Sequence, residues 1–324
     1  MEPDVAKYLD ELTTEQQNPN SVGIDTKSTE EILAIINRED SKVHEAVRRE
    51  IPAIAEVIDV VVERFKQGGR LLYVGAGTSG RLGVLDAAEC PPTFGTPPDM
   101  VQGIIAGGRE ALVRSIEGAE DSESDGIEAI NERRTDARDV LIGITASGHA
   151  PFVVGAMKRA RELGAPVVAL SCNNNSKTFQ YADYRLFIDV GQEIVAGSTR
   201  MKAGTAQKLV LNMITTTAMI KLGKVFNNLM VDLMPVNNKL VARSKRLIQI
   251  ATGCDPEIAA RAFEGSARRP KVAIVMVLLG IGREPAERLL QANEGRIGQA
   301  LTGYRKRRNG GELRDAGGPE GPPL

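Results

Sequence analysis

Tryptophan is absent from the 324 residues, histidine occurs twice, cysteine three times, and aromatic residues make up only 4% of the chain. Each shortage removes a class of protein. Cys90, Cys172 and Cys254 are odd in number, widely spaced and without a Cys-x-x-Cys pair, so they suit a reducing compartment better than a disulfide framework or a zinc site. With His44 and His149 as the only imidazoles, acid–base chemistry falls to carboxylates, with lysine as the fallback. Neither sign of charge dominates: 41 Lys and Arg stand against 42 Asp and Glu, a formal net charge of −1. The composition therefore carries no attraction for nucleic acid or an anionic membrane, and any bound anion must be gripped locally. The longest apolar run, residues 272–281, is about half the ~20 residues that a bilayer-crossing helix needs. The opening Met1-Glu2-Pro3-Asp4 lacks the basic-then-apolar pattern of a signal peptide. A cytoplasmic protein with neither a membrane nor a nucleic-acid partner is the expectation.

The 42% hydrophobic and 26% charged residues lie in the globular range, and the length suits two domains or one enlarged domain. Residues 1–27 are mostly polar and read as an extended arm. Ser28 and Glu31 then form a capping-box pattern ahead of Ile32, Leu33, Ile35 and Ile36. From 43 to 65, Val47, Ile51, Ile54, Val57, Ile58 and Val61 recur at helical spacing, with Pro52 as a kink or a break. Beyond Gly68-Gly69 the texture changes. Short apolar runs at 71–74, 103–106, 140–145, 166–171 and 184–189 read as strands, and 122–134 and 151–163 read as helices between them. That alternation predicts the α/β class, with a parallel sheet covered on both faces. The stretch 203–220 has Lys208 as its only charge and is expected to be buried against the sheet or a second subunit. Short helices at 256–264, 270–279, 284–293 and 297–301 form a small helical domain, and the Gly- and Pro-rich end is expected to be disordered. The boundaries drawn are 1–60 for the arm and N-terminal helices, 61–224 for the α/β domain, 225–303 for a linker and the helical domain, and 304–324 for the tail.

The loop Gly75-Ala76-Gly77-Thr78-Ser79-Gly80 leaves a strand and enters a helix, so its backbone N–H groups converge where an anion is favoured. Gly77, Thr78 and Ser79 are candidate phosphate contacts. The same letters satisfy a dinucleotide fingerprint, which expects an acidic residue at the end of the second strand. Asp99 instead precedes that strand and Ala106-Gly107-Gly108 follows it, so a phosphate ester is favoured over a dinucleotide or a bare turn. Ser147, after the strand at 140–145, and Ser198-Thr199, before a helix expected near Arg200, are further hydroxyl sites for a phosphate. Ordinary helix caps are the alternative for Ser147 and Ser198. Glu89 precedes Pro91-Pro92, which are expected to stop its helix, leaving a carboxylate at the negative end of the dipole. Glu120 lies in the acidic turn Glu117-Gly118-Ala119-Glu120-Asp121, where solvated charges complementing the next helix are the plainer reading.

Two long stretches, Gly75 through Thr93 and Ala196 through Leu209, resemble the N-acetylmuramic acid 6-phosphate etherases. So do Thr14-Glu15 with Asn18-Pro19, Ile36-Asn37-Arg38-Glu39-Asp40, and Leu222-Gly223-Lys224-Val225 with Asn228-Leu229-Met230-Val231-Asp232. The resemblance spans about residues 8–303. It implies a parallel-sheet sugar isomerase (SIS) domain that binds phosphosugars, flanked by N-terminal helices and a small C-terminal helical domain. It also implies a homodimer that acts without metal or nucleotide cofactor. The implied reaction cleaves the D-lactyl ether of N-acetylmuramic acid 6-phosphate, and the implied catalytic glutamates fall on Glu89 and Glu120. Elimination across C2 and C3 of the opened sugar needs an acid and a base; Glu89 is assigned as the acid and Glu120 as the base. A non-catalytic sugar-phosphate sensor is the alternative, since the glucokinase regulatory protein is related. That protein resembles a tandem of two such domains, whereas one copy is present here.

Overall fold

The computed structural model describes residues 11–235 and 237–309, with side chains to residue 306. Helix α1 (Thr29–Asp40) starts where its capping box predicts: Glu31 N donates to Ser28 Oγ at 3.3 Å, and Ser28 N donates to Glu31 Oε2 at 2.9 Å. The long amphipathic stretch becomes two helices, α2 (Val43–Arg49) and α3 (Ile51–Lys66), with Pro52 in the first turn of α3. Proline is tolerated there because a first-turn N–H has no partner to lose. Ile54, Val57, Ile58, Val61, Val62 and Phe65 form the buried face of α3.

Five strands follow: β1 (Leu71–Gly75), β2 (Val101–Ile105), β3 (Val140–Thr145), β4 (Val167–Ser171) and β5 (Tyr184–Phe187). They pair in parallel in the order β2-β1-β3-β4-β5, with Leu71 opposite both Val101 and Val140, Leu141 opposite Val167, and Val168 opposite Tyr184. Every residue of β1, β3 and β4 is buried, as a sheet covered on both faces requires. Helices α4 (Gly77–Phe94), α5 (Glu123–Glu132) and α6 (Pro151–Glu162) make the crossovers. The second strand starts two residues before its expected place and carries Gly103 at its centre. A Cβ there would meet the Val84 Cα of α4 at 2.4 Å, so glycine marks a close helix approach rather than a strand start.

The chain runs from β1 outward to β2, then returns across β1 to β3. The loops leaving β1 and β3 therefore diverge, and this switch point at the carboxyl ends of the strands is where open α/β sheets bind ligands. Helix α7 (Lys202–Lys221) follows the sheet; its Ala203, Ala206, Val210, Leu211 and Ile214 are fully buried.

The described chain divides into two compact units. One holds the residues up to Glu89 and Pro98–Thr216, and so contains the sheet; the other holds Cys90–Pro97 and the chain from Thr217. The second unit has a two-residue hairpin, β6 (Val225–Phe226) and β7 (Leu229–Met230), then helices α8 (Asn238–Thr252), α9 (Pro256–Gly265), α10 (Pro270–Leu279), α11 (Arg283–Gln291) and α12 (Ile297–Asn309). Its own core includes Ile248, Phe263, Ile274, Val275 and Ala300. Helix α12 continues through residues 304–309, which corrects the expectation of disorder from 304: lysine and arginine are good helix formers and favour a helix C-terminus. Residues 310–324 lie outside the described residues. Among the described residues, no helix is long and apolar enough to cross a membrane.

Candidate active site

Gly77 opens α4 with φ at +52°, a conformation that favours glycine. Gly75 and Gly80 close the loop by direct contact: a Cβ on Gly80 would lie 2.6 Å from Gly75 O. The first-turn amides of Gly77, Thr78 and Ser79 have no carbonyl one turn earlier, the arrangement in which a helix end can take an anion. At its mouth is a cavity of about 180 Å³ lined by Ala76, Gly77, Arg81, Arg114, Glu117 and Glu120, among others. Arg81 donates from Nε to Leu112 O at 3.2 Å and from Nη2 to Arg114 O at 3.0 Å, tying the loop that carries Glu120 to α4. Arg81 therefore lines the same cavity as the glycine-rich loop. Arg81 directly follows the glycine-rich loop, one turn into α4, and a cation at that position is the sequence signal for its role.

Glu120 sits on a short 3-10 turn, Ala119–Asp121, after Gly118 at φ +74°. Although the residue is exposed overall, the cavity wall desolvates its carboxyl, and the like charges of Asp121 and Glu117 add to that. Both effects raise its pKa. The acidic turn is thus one wall of a cavity whose other wall is the glycine-rich loop, a feature that its local sequence does not display.

Thr78, Ser79 and Thr199 lie beside the first turns of α7. Ser79, 7% exposed, has Oγ 2.9 Å from Gln207 Oε1. Thr78 Cγ2 and Thr199 O both lie within 4 Å of the Cβ position of Gly204. Helix α7 starts at Lys202, two residues after the expected Arg200, and its first amides are occupied. Glu193 accepts from Lys202 N at 3.0 Å and from Ala203 N at 2.9 Å. Glu193 is therefore the cap, not Ser198, and what the Ser198-Thr199 turn can offer an anion is its hydroxyls. Ser147 is half-buried in the loop after β3, at the switch point. The cap position of α6 belongs to Ala150, so Ser147 is not an ordinary cap either.

The N-terminal arm holds this end of the sheet together. Its described part is three short 3-10 turns rather than an extended strand, with Leu12, Thr14 and Asn18 buried. Gly197 N donates to Thr14 O at 2.9 Å, and Asn173 Nδ2 donates to Thr14 Oγ1 at 3.0 Å and to Ala146 O at 2.9 Å. One residue of the arm thus joins the loops after β3 and β4 to the Ser198 turn. Beside it, Lys202 and Glu39 form a buried ion pair at 3.0 Å. Burial opposes the charge on Glu39, but hydrogen bonds from Lys42, Asn18 and Lys202 outweigh it and hold the carboxyl down to about 2.

Glu89 is placed differently from expectation. Helix α4 runs through Pro91 and Pro92 to Phe94, and Gly95 N still donates to Pro91 O at 2.9 Å. The prolines remove two helical N–H donors without ending the helix; Cys90 and Phe94 in the same stretch are buried, so packing overrides local preference. Glu89 is consequently an exposed residue five positions before the helix end, away from the negative end of the dipole. At 1.5 Å per residue, the ten residues from Ser79 to Glu89 span about 15 Å. It does not line the cavity that unites Gly77 with Glu120. Three residues earlier Asp86 is buried, accepting from Asn212 Nδ2 at 2.6 Å, Tyr73 OH at 3.1 Å and Thr215 Oγ1 at 3.2 Å, and so fixes α4 against β1 and α7. Its burial raises its pKa although those bonds pull the other way.

A parallel β2-β1-β3-β4-β5 sheet with a glycine-rich loop leaving β1 at its switch point is the architecture of the sugar isomerase (SIS) class. The SIS domain model matches residues 125–217, and the model of the glucokinase regulatory protein N-terminal SIS domain matches residues 53–161. The chain is 52% identical over 294 residues to N-acetylmuramic acid 6-phosphate etherase of Clostridium acetobutylicum, covering 91% of this chain and 97% of that one. It is 51% identical over 296 residues to the etherase of Glaesserella parasuis, covering 91% and 97%. The chain belongs to the N-acetylmuramic acid 6-phosphate etherase family. A solved phosphoheptose isomerase from Neisseria gonorrhoeae is also similar, at 18% identity and a TM-score of 0.47 over 59% of this chain and 98% of that one.

Proposed function

We propose that the protein is a carbon–oxygen lyase that converts N-acetylmuramic acid 6-phosphate to N-acetylglucosamine 6-phosphate and D-lactate. The observation that carries this reading is the 52% identity to a named etherase across 91% of the chain, and the shared cavity of the anion loop and Glu120 agrees with it. In the ring-opened sugar the ether oxygen on C3 lies β to the C1 aldehyde, so the C2 hydrogen is acidic. Glu120, whose raised pKa makes it a stronger base than an ordinary glutamate, removes that proton. The electron pair forms the C2–C3 double bond, the C3–O bond breaks, and Glu89 delivers a proton to the departing lactate. Water then adds at C3 and a proton returns to C2. The phosphate rests on the Gly77, Thr78 and Ser79 turn, with the hydroxyls of Ser147, Ser198 and Thr199 around it. Two carboxyls suffice for this route, which uses neither metal nor nucleotide.

The working unit of this proposal is a homodimer. A 15 Å span along an unbroken helix is too long for Ser79 and Glu89 of one chain to touch the same hexose phosphate, so Glu89 is assigned to the site of the other subunit. The SIS domain is assigned to residues 61–224, and the location to the cytoplasm, in keeping with three cysteines of which none is in a disulfide. Incubation with N-acetylmuramic acid 6-phosphate is expected to release D-lactate and N-acetylglucosamine 6-phosphate in equal amounts. Failure to release D-lactate from the folded protein overturns the proposal.

A further inference from the structure

We infer that Gln207 is a positioning residue for phosphate binding: its side-chain amide decides where the Ser79 hydroxyl sends its single proton. The inference rests on the assignment of Ser79 as a phosphate contact made above. A serine hydroxyl has one proton to donate and two lone pairs that accept. In the structure Ser79 Oγ and Gln207 Oε1 are 2.9 Å apart, with the two residues 7% and 1% exposed. An amide oxygen can only accept, so in this arrangement the proton belongs to Gln207 and Ser79 has none to offer a phosphate dianion.

The other end of the same amide supplies the release. Gln207 Nε2 is buried and has no hydrogen-bond partner among the described residues. An unpaired buried N–H is unfavourable, and a leucine or methionine would fill the space without that penalty, so packing alone does not account for an amide at this depth. A half-turn about the last side-chain bond exchanges Nε2 for Oε1 with almost no change of shape. The amide then donates to Ser79 Oγ, and the hydroxyl proton swings to a phosphate oxygen. Such a chain, from amide to hydroxyl to phosphate, strengthens each of its bonds by polarisation. Gln207 can serve in this way because the start of its helix is held by Glu193 and by the Lys202–Glu39 pair.

The test is a double-mutant cycle reading KM and kcat for N-acetylmuramic acid 6-phosphate and competitive inhibition by inorganic phosphate. Ser79→Ala is expected to raise KM and weaken phosphate inhibition about tenfold or more, the effect of losing a hydrogen bond to a charged group. Gln207→Met is expected to raise KM comparably while kcat stays within about threefold, and to change KM less than about twofold when added to Ser79→Ala. Gln207→Glu keeps the shape and decides the matter if the methionine variant folds poorly. As a carboxylate it accepts only, so its KM relative to the unmutated protein is expected to be raised at neutral pH and to fall as lower pH protonates it and restores a donor. A raised KM after Ser79→Ala with no change after either Gln207 substitution overturns the inference and leaves the phosphate site standing. So does a Gln207→Met effect of equal size in both backgrounds, or a Gln207→Glu ratio that ignores pH. If Ser79→Ala itself changes neither KM nor phosphate inhibition, the phosphate assignment falls and takes the inference with it.

Discussion

Glu120 and Glu89 are both glutamates with opposite assignments, and their surroundings give each a separate test. Desolvation by the cavity wall and the neighbouring charges of Asp121 and Glu117 raise the pKa of Glu120. A base must be deprotonated to work, so kcat/KM is expected to fall on the acid side with a midpoint above the ordinary 4.5 of a glutamate, measured as a pH–rate profile. A midpoint at or below 4.5 contradicts the base assignment. Glu89→Gln keeps the side-chain shape but cannot hand a proton to lactate. It is expected to lower kcat about 10²–10⁴-fold with little change in KM, while exchange of the C2 hydrogen with deuterated solvent continues. Glu120→Gln is expected to abolish that exchange. Of these residues the sequence shows the glycine-rich loop plainly, because its chemistry is local. The Arg81 clasp on the Glu120 loop and the Ser79–Gln207 contact join residues 31 to 33 and 128 positions apart, and no local pattern reports them.

At the scale of elements, helical and strand periodicity locates β1, β3, β4, α6 and α7 to within a residue or two of their observed ends, since a buried sheet must be apolar and its crossover helices amphipathic. Periodicity fails where long-range packing overrides it. Pro91 and Pro92 read as a stop yet lie inside α4, and the polar arm reads as extended although Leu12, Thr14 and Asn18 are buried. The Lys202–Glu39 pair, which links α1 to α7, is equally hidden from local reading, with both side chains only 1–2% exposed. Lys202→Met removes one partner of a buried pair and is expected to destabilise the fold by about 3–5 kcal/mol in denaturant titrations, against well under 1 kcal/mol for an exposed lysine. Because the folded pKa of Glu39 is lowered to about 2 from an ordinary 4.5, its contribution is present above pH 4.5 and is lost as pH falls toward 2. Glu39→Gln should accordingly flatten the loss of stability across that window; an unchanged slope would argue against the pair as an acid-sensitive tie.

For the whole molecule, the site shared between two subunits is a proposal argued from the length of α4. Mixed dimers of Glu89→Gln and Glu120→Gln chains test it. If Glu89 and Glu120 of one site come from different subunits, each mixed dimer holds one site with both defects and one with neither, so mixing two inactive variants restores D-lactate release. If both glutamates come from one subunit, mixing restores nothing. The chemistry itself is read most directly from the fate of solvent oxygen during turnover of N-acetylmuramic acid 6-phosphate in ¹⁸O-labelled water. Elimination breaks the sugar C3–O bond and water then adds at C3, so the account predicts one labelled oxygen in the N-acetylglucosamine 6-phosphate C3 hydroxyl and an unlabelled D-lactate. Label in the lactate hydroxyl instead, from cleavage on the lactyl side, would contradict it.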